Sequence, residues 1–314
     1  MTDVVVVGSI NVDMVSYLDR WPVVGETVAA QETKISLGGK GANQAIAAAR
    51  LGASVRMIGA IGSDELGRDV ANRLRAADVQ LSLREKSDKT SGMAFIDVGP
   101  DGGNIIRLSE GANKCLTAAN VLDCAADVTD AKVLLVQNEV PLEASLAAAR
   151  VARANGLTVI MDPAPAPVPF WNAEVLSEFD IITPNAHEAH LILGALPKTL
   201  QAAEQAAARL RTMGPRGAIV TMGASGVGWS IGSCSGHVVA PNVPAIDTVA
   251  AGDCFNGAFA TFLSRGACVE EAISLAVDAA ALATTRRGAA DAMPSGDELR
   301  EFNTAHHAKA LEIG

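Results

Sequence analysis

Two aspartates, Asp247 and Asp253, bracket the small residues Ala250, Ala251 and Gly252 in the stretch AIDTVAAGDCFNGAF, and an apolar run with helical spacing follows at once. Small side chains leave backbone N–H groups uncovered, and the positive end of a helix dipole favours negative charge. A loop of bare amides opening a helix suits anionic oxygen, above all the charge that builds on a transferring phosphoryl group. Asp253 would then stand within reach of whatever attacks that phosphorus, as the acceptor of a hydroxyl proton. The helix terminus favours an ionised, weakly basic carboxylate. A loose transition state asks for little early proton removal, so orientation outweighs basicity. The plainer reading is a first-turn acid that only stabilises its helix.

Other polar residues fall where apolar strands end. SLGGKGANQA (36–45) fails the Walker A pattern, because Lys40 is followed by Gly41 rather than Ser or Thr. What remains is a glycine turn through Gly39 that delivers Lys40 and Asn43 to the mouth of a helix. It either lets backbone approach a polar ligand closely or is a plain turn with a solvated lysine. GSINVDMV sets Asn11 and Asp13 on one face past the first strand, able to bond vicinal hydroxyls, or to form an ordinary turn. No G-x-G-x-x-G follows that strand, so the dinucleotide fingerprint is missing. LLVQNEVP puts Glu139 between a strand and a Pro-started helix. TPNAHE does the same for Asn185 and Glu188, whose spacing fits a capping box and equally an oxygen pair holding hydrated Mg²⁺. TMGASGVGW, with Thr221, Gly223 and Gly226, suits phosphate contact or a hairpin turn. No Ser-His-Asp set can be assembled, since the five histidines are expected in helices or loops. His187 and His190 lack an evident third metal ligand.

These residues need a scaffold, and the alternation of elements supplies one. VVVVGSI, VRMIGAIG, KVLLVQ, LTVIMD, DIITPN and GAIVTMG read as short buried strands. ANQAIAAARLG, ELGRDVANRLRAA, LEASLAAARVARAN and QAAEQAAARLRTM separate them as helices. This rhythm predicts a three-layer α/β sandwich with a central mostly parallel sheet, whose ligands gather at the strand carboxyl ends. Residues 12–37 and 90–108 break the rhythm, the second as a hairpin turning at Gly-Pro-Asp-Gly-Gly. Both are expected as antiparallel strands inserted into the α/β core. They read as a lid of about 12–37 and 90–110 on a single domain of residues 1–314, or as an edge extension of the main sheet.

The formal net charge of −10 argues against nucleic acid or an anionic membrane as partner. The start lacks a basic segment and a signal-length apolar run, and no stretch reaches the about 18 apolar residues of a membrane span. Five cysteines without a C-x-x-C pair are expected as free thiols in a reducing cytoplasm.

GSINVD, GGKGANQA, TPNAHE, TMGASGVG and DTVAAGDCFNGAF resemble, in this order, the motifs of the ribokinase-like (PfkB-type) carbohydrate kinases. The resemblance covers nearly the whole chain. It implies an open α/β sandwich with a β lid that clasps a second subunit, so a homodimer, and transfer of the ATP γ-phosphoryl group to a sugar hydroxyl with Mg²⁺ and K⁺. GGKGANQA, DPAPAP and RRGAADAMPS point within the family to members acting on D-ribose. Another pentose, fructose, 2-keto-3-deoxygluconate, a nucleoside, or a non-catalytic sugar-binding paralogue are the alternatives. Carried over by motif, Asp253 is the base and Ala250, Ala251 and Gly252 the anion hole. Asn11, Asp13, Gly39, Lys40, Asn43 and Glu139 match sugar contacts. Asn185 and Glu188 match the element tied to Mg²⁺ and phosphate, with Glu188 acting through water, and Thr221, Gly223 and Gly226 match the nucleotide loop. Asp247 with the carbonyls of Val249, Ala283, Arg286 and Gly288 would hold the monovalent cation. The chain departs from the family at Ala292, where a serine ligand is common, and at Cys254, where threonine is frequent.

Overall fold

The computed structural model of the protein describes residues 2–100 and 103–312. The tip of the expected Gly-Pro-Asp-Gly-Gly turn, Asp101 and Gly102, lies outside the described residues. Its shoulders are tied by Gly99 N–H donating to the Gly103 carbonyl at 2.9 Å.

Strand β1 (Val4–Val7) explains the layering in miniature. All four valines are fully buried; Val4 and Val6 join one apolar cluster, Val5 and Val7 the other. Successive strand side chains point to opposite faces, so a continuous apolar run requires cover on both. Helices Lys40–Arg50, Ala251–Ser264 and Val269–Thr284 cover the first face, and Leu142–Ala154 and Leu200–Arg211 the second.

The remaining strands are β2 (Asn11–Tyr17), β3 (Glu32–Gly38), β4 (Val55–Gly62), β5 (Val79–Lys86), β6 (Gly92–Val98), β7 (Asn104–Ser109), β8 (Val133–Gln137), β9 (Thr158–Asp162), β10 (Ile181–Ile182), β11 (Gly217–Thr221), β12 (Gly226–Ile231) and β13 (Cys234–Val239). The large sheet has the order β13-β12-β11-β10-β9-β8-β1-β4-β5. From β1 the chain moves to β4 and β5 on one side, then returns to β8 on the other. The β1/β8 seam is thus a topological switch point, where ligands of such sheets bind at strand carboxyl ends. Two strands correct the expected alternation: β12 and β13 add an antiparallel edge. His237 accordingly lies in a strand, beside Glu204 at 3.3 Å, rather than in a helix or loop.

The two inserted regions form a separate four-stranded sheet, β3-β2-β6-β7, rather than extending the large one. β2·β3 and β6·β7 are antiparallel as expected, but the central pair β2·β6 is parallel. Asn11 and Asp13 open β2, which settles the choice between strand and turn. Leu37 and Val12 anchor this sheet in the first core cluster.

Candidate active site

Polar side chains converge where β1 and β8 end. Glu139 Oε2 accepts from Ser9 Oγ at 2.5 Å and from the Lys40 N–H at 3.0 Å. The carboxylate therefore sits on the N-terminus of helix Lys40–Arg50, where the dipole favours it. The glycine turn is dictated by close approach. Gly39 has φ +88°, and a Cβ on it would stand 2.8 Å from the Asn11 N; one on Gly41 would stand 2.7 Å from the Ser9 N. Asn113, on the turn after β7, donates from Nδ2 to Asn11 Oδ1 at 2.7 Å and accepts the Ile10 N–H at 2.9 Å. Ser9, Asn11, Leu108, Glu110, Asn113 and Glu139 line a small polar cavity.

Asp13 and Asn43 carry the informative orphans. Both are buried, and neither Asp13 Oδ1 nor Asn43 Oδ1 has a hydrogen-bond partner among the described residues. Buried polar atoms are normally paired, so these two fit hydroxyl donors from a ligand. Burial, then the nearby charges of Glu139 and Asp253, push the Asp13 carboxyl up to about 7.

Asp253 lies against these groups. It begins one turn of helix Ala251–Ser264, is 4 % exposed, and accepts from Asn43 Nδ2 at 2.9 Å and Gln44 Nε2 at 3.3 Å. Gly257, one turn further along, lets the two helices meet: a Cβ there would stand 2.5 Å from the Gln44 carbonyl oxygen. Lys40 Nζ stands 3.8 Å from Asp253 Oδ1 and 3.4 Å from Asp162 Oδ2. Burial alone would lower the Lys40 pKa, but Asp162, Asp253, Glu139 and Glu188 together hold it well above the usual lysine range. Burial pushes Asp162 up to about 7, against the pull of Lys40 and with the push of Asp253 and Glu188.

The expected amide nest is narrower than the sequence implied. Ala250, in the left-handed region at φ +58°, turns the chain into the helix. The Ala251 N–H donates to the Thr248 carbonyl at 3.3 Å, so this amide is already engaged. The N–H groups of Ala250 and Gly252 have no acceptor among the described residues. Ala251 and Gly252 also line a cavity of about 490 Å³ with Thr221, Gly223 and Gly226. The hairpin reading of that last loop holds, since it is the β11–β12 turn, and the loop also forms part of the cavity wall. Asn185 and Glu188 form the capping box: Asn185 Oδ1 accepts the Glu188 N–H at 2.9 Å, and Glu188 Oε2 accepts the Asn185 N–H at 2.8 Å. A parallel bridge ties Asn185 to Thr221.

A family model described as pfkB family carbohydrate kinase matches residues 1–296. The chain belongs to this family. Ribokinase of Haemophilus influenzae is 40% identical over 298 residues, covering 95% of this chain and 97% of that one. The ribokinase structure from Thermotoga maritima aligns with a TM-score of 0.87 at 34% identity, covering 97% of this chain and 100% of that one. The Arabidopsis thaliana ribokinase structure, complexed with ribose and ATP, aligns with a TM-score of 0.88 at 31% identity over 96% and 98% of the two chains.

In this carbohydrate kinase the residues singled out from sequence fall into three groups. Asn11, Gly39, Lys40, Asn43, Glu139 and Asp253 are gathered by direct contacts or a shared turn, and Asp13 lies near enough that, beyond burial, the charges of Glu139 and Asp253 raise its pKa. Thr221, Gly223, Gly226, Asn185 and Glu188 lie along the second cavity and its adjoining helix start. Asp247 stands apart, its Oδ1 accepting the Val249 N–H and its Oδ2 the Gly288 N–H, both at 3.0 Å. Thr284 accepts the Ile246 and Asp247 N–H groups, which draws the Ala283–Gly288 turn against this loop. The Arg286 guanidinium is engaged with Glu298 at 2.9 Å. Sequence reasoning missed Asp162, Gln44, Gln137, Ser9 and Asn113. A signal for Asp162 existed: it is a carboxylate closing a largely apolar strand, much as Glu139 follows β8.

Proposed function

We propose that the protein transfers the γ-phosphoryl group of ATP to D-ribose, giving D-ribose 5-phosphate, with Asp253 as the base. The observation that carries this reading is the place of Asp253. Its neighbour Gly252 lines the large cavity, and its own carboxylate bonds Asn43 and faces Lys40, whose backbone N–H donates to Glu139 of the small cavity. The named ribokinase relatives, and the ribose and ATP of the Arabidopsis structure, support the choice of acceptor and donor.

In this reading Asn11, Asp13, Gly39, Lys40, Asn43 and Glu139 hold the sugar hydroxyls. The orphaned Asp13 Oδ1 and Asn43 Oδ1 accept from two of them. The sugar's hydroxyl oxygen bonds to the γ-phosphorus as the bond to the ADP oxygen breaks, and its proton passes to Asp253. The free amides of Ala250 and Gly252, with the Ala251 end of the helix, face the transferring group and meet its charge with fixed dipoles. Thr221, Gly223 and Gly226 hold the nucleotide. Mg²⁺ suits the Asn185 and Glu188 pair, since the capping box uses one Glu188 oxygen and leaves the other, and the ion keeps most of its waters. Bound with ATP, it would neutralise phosphate charge. K⁺ would be held by Asp247 with the Val249, Ala283, Arg286 and Gly288 carbonyls, hard oxygen donors on two loops that the Asp247 carboxylate ties together by accepting the Val249 and Gly288 N–H groups.

The chain acts as one domain whose small sheet closes over the sugar and limits ATP hydrolysis by water. That sheet carries an apolar strip of Val15, Ile96 and Ile106 on the Asp13 face, which suits a second copy of the same lid and hence a homodimer. The reaction belongs to the cytoplasm in this reading, where the exposed free Cys234 and Cys268 stay reduced. The test is ADP formation over a panel of D-ribose, 2-deoxyribose, fructose, 2-keto-3-deoxygluconate and nucleosides. D-ribose should give the highest kcat/KM. Another acceptor ranking above it, or no sugar-dependent ADP at all, overturns the assignment.

A further inference from the structure

We infer that Gln44 is a positioning residue for the reaction: its side-chain amide, anchored by Gln137, fixes the carboxylate of Asp253 in the orientation that receives the hydroxyl proton. The inference rests on the reading of Asp253 as base.

Gln44 and Gln137 are both fully buried, and a buried amide is costly unless its groups are bonded. Gln137 Nε2 donates to Gln44 Oε1 at 2.7 Å. Gln44 Nε2 then faces two carboxylates, Asp162 Oδ2 at 3.0 Å and Asp253 Oδ1 at 3.3 Å. Only the nitrogen end of an amide can donate to both, so the chemistry of the neighbours sets which way Gln44 points. The far end of the chain of bonds is rigid. Gln137 and Asp162 are register partners across β8 and β9, side by side on one face of the central sheet. Asp162 Oδ1 also accepts the Ala164 N–H at 3.2 Å.

The other Asp253 oxygen is held by Asn43 Nδ2. Adjacent residues of one helix therefore take one carboxylate oxygen each, which fixes both the position and the plane of the group. Lys40 leads the same helix, three and four residues earlier, so all three side chains share a face. Without the Gln44 donor, the charge of Lys40, 3.8 Å from Oδ1, would draw the carboxylate toward itself. Glutamate at 44 would add a third acid between two others, and leucine would fill the space without donating.

That last contrast gives the test. Gln44→Leu and the double variant Gln44→Leu/Gln137→Leu are compared with Asp253→Asn in kcat, KM for D-ribose and Tm. The double variant removes both amides together, so neither is left facing a missing partner; Asp162 Oδ2 keeps Lys40 Nζ at 3.4 Å and Asp253 Oδ2 keeps Asn43, so the hydrogen bond to Asp253 Oδ1 is the loss under test. Expected is a loss of about 10- to 100-fold in kcat in both leucine variants, with KM for D-ribose unchanged and the double variant melting near the parent. The inference is overturned if the double variant turns over at the parent rate while Asp253→Asn is inactive. It is equally overturned if the loss falls on KM, or only tracks the folded fraction. Should Asp253→Asn itself keep the parent rate, the reading of the base fails first, and this inference with it.

Discussion

Replacing Gly257 with alanine tests whether close packing of two helices sets the catalytic geometry. The added Cβ would stand 2.5 Å from the Gln44 carbonyl oxygen, 2.7 Å from the Ala47 Cβ and 3.0 Å from the Ala48 N. Carbon contacts rest at about 3.5 Å or more, so helices Lys40–Arg50 and Ala251–Ser264 must part by about 1 Å. Overpacking of this kind costs about 1–3 kcal/mol. The better helix propensity of alanine offsets about 1 kcal/mol of that, leaving a modest net loss and a Tm lower by a few degrees. Activity should suffer more. Asp253 lies one turn from Gly257 on the same helix and is held by Asn43 at 2.9 Å and Gln44 at 3.3 Å. Parting by about 1 Å carries both bonds beyond hydrogen-bond range, and a misplacement of that size costs about 100-fold in rate. Steady-state ADP formation beside a thermal melt separates the two effects. A folded variant turning over at the parent rate would refute the reasoning.

Three further outcomes are expected. Asp13 has its folded-state pKa raised to about 7 from the ordinary 3.8, so between those pH values the folded chain binds more protons than the unfolded one. Stability of the unliganded protein should therefore fall as pH rises through this window, and Asp13→Asn should flatten the slope of Tm against pH; an unchanged slope counts against the buried, unpaired carboxyl. Exchanging K⁺ for Na⁺ should lower kcat through the Asp247 loop, and a rate indifferent to the exchange removes that cation site. Ile106, 55% exposed on the outer strand of the small sheet, should matter to assembly: the parent should scatter light as a dimer and Ile106→Asp as a monomer, whereas a monomeric parent rejects the lid interface.

Much of the fold was legible because the signals were local. Val4–Val7 reads as a doubly buried strand from its β-branched run, and Ala251–Ser264 as a helix from its spacing and small-residue start. β12 entered the sequence reading only as the far side of a possible hairpin, because GVGWSI is short and glycine-rich, and the parallel β2·β6 pair was missed because it joins segments about eighty residues apart. The same distinction divides the site. Asn11, Lys40, Glu139 and Asp253 stand at strand ends or turns, where chain position alone suggests chemistry. Gln44 and Asp162 acquire their meaning from a bond spanning 118 residues, which no local pattern announces. The engaged Ala251 amide depends on the Thr248 carbonyl folding back, a backbone event without a side-chain signature.

The most direct measurement is kcat of Asp253→Asn with D-ribose and MgATP, beside calorimetric binding of D-ribose to the same variant. Proton transfer by a positioned group contributes about 10²- to 10⁴-fold, so kcat should fall by that order while the sugar still binds. Turnover at the parent rate would contradict the role of Asp253.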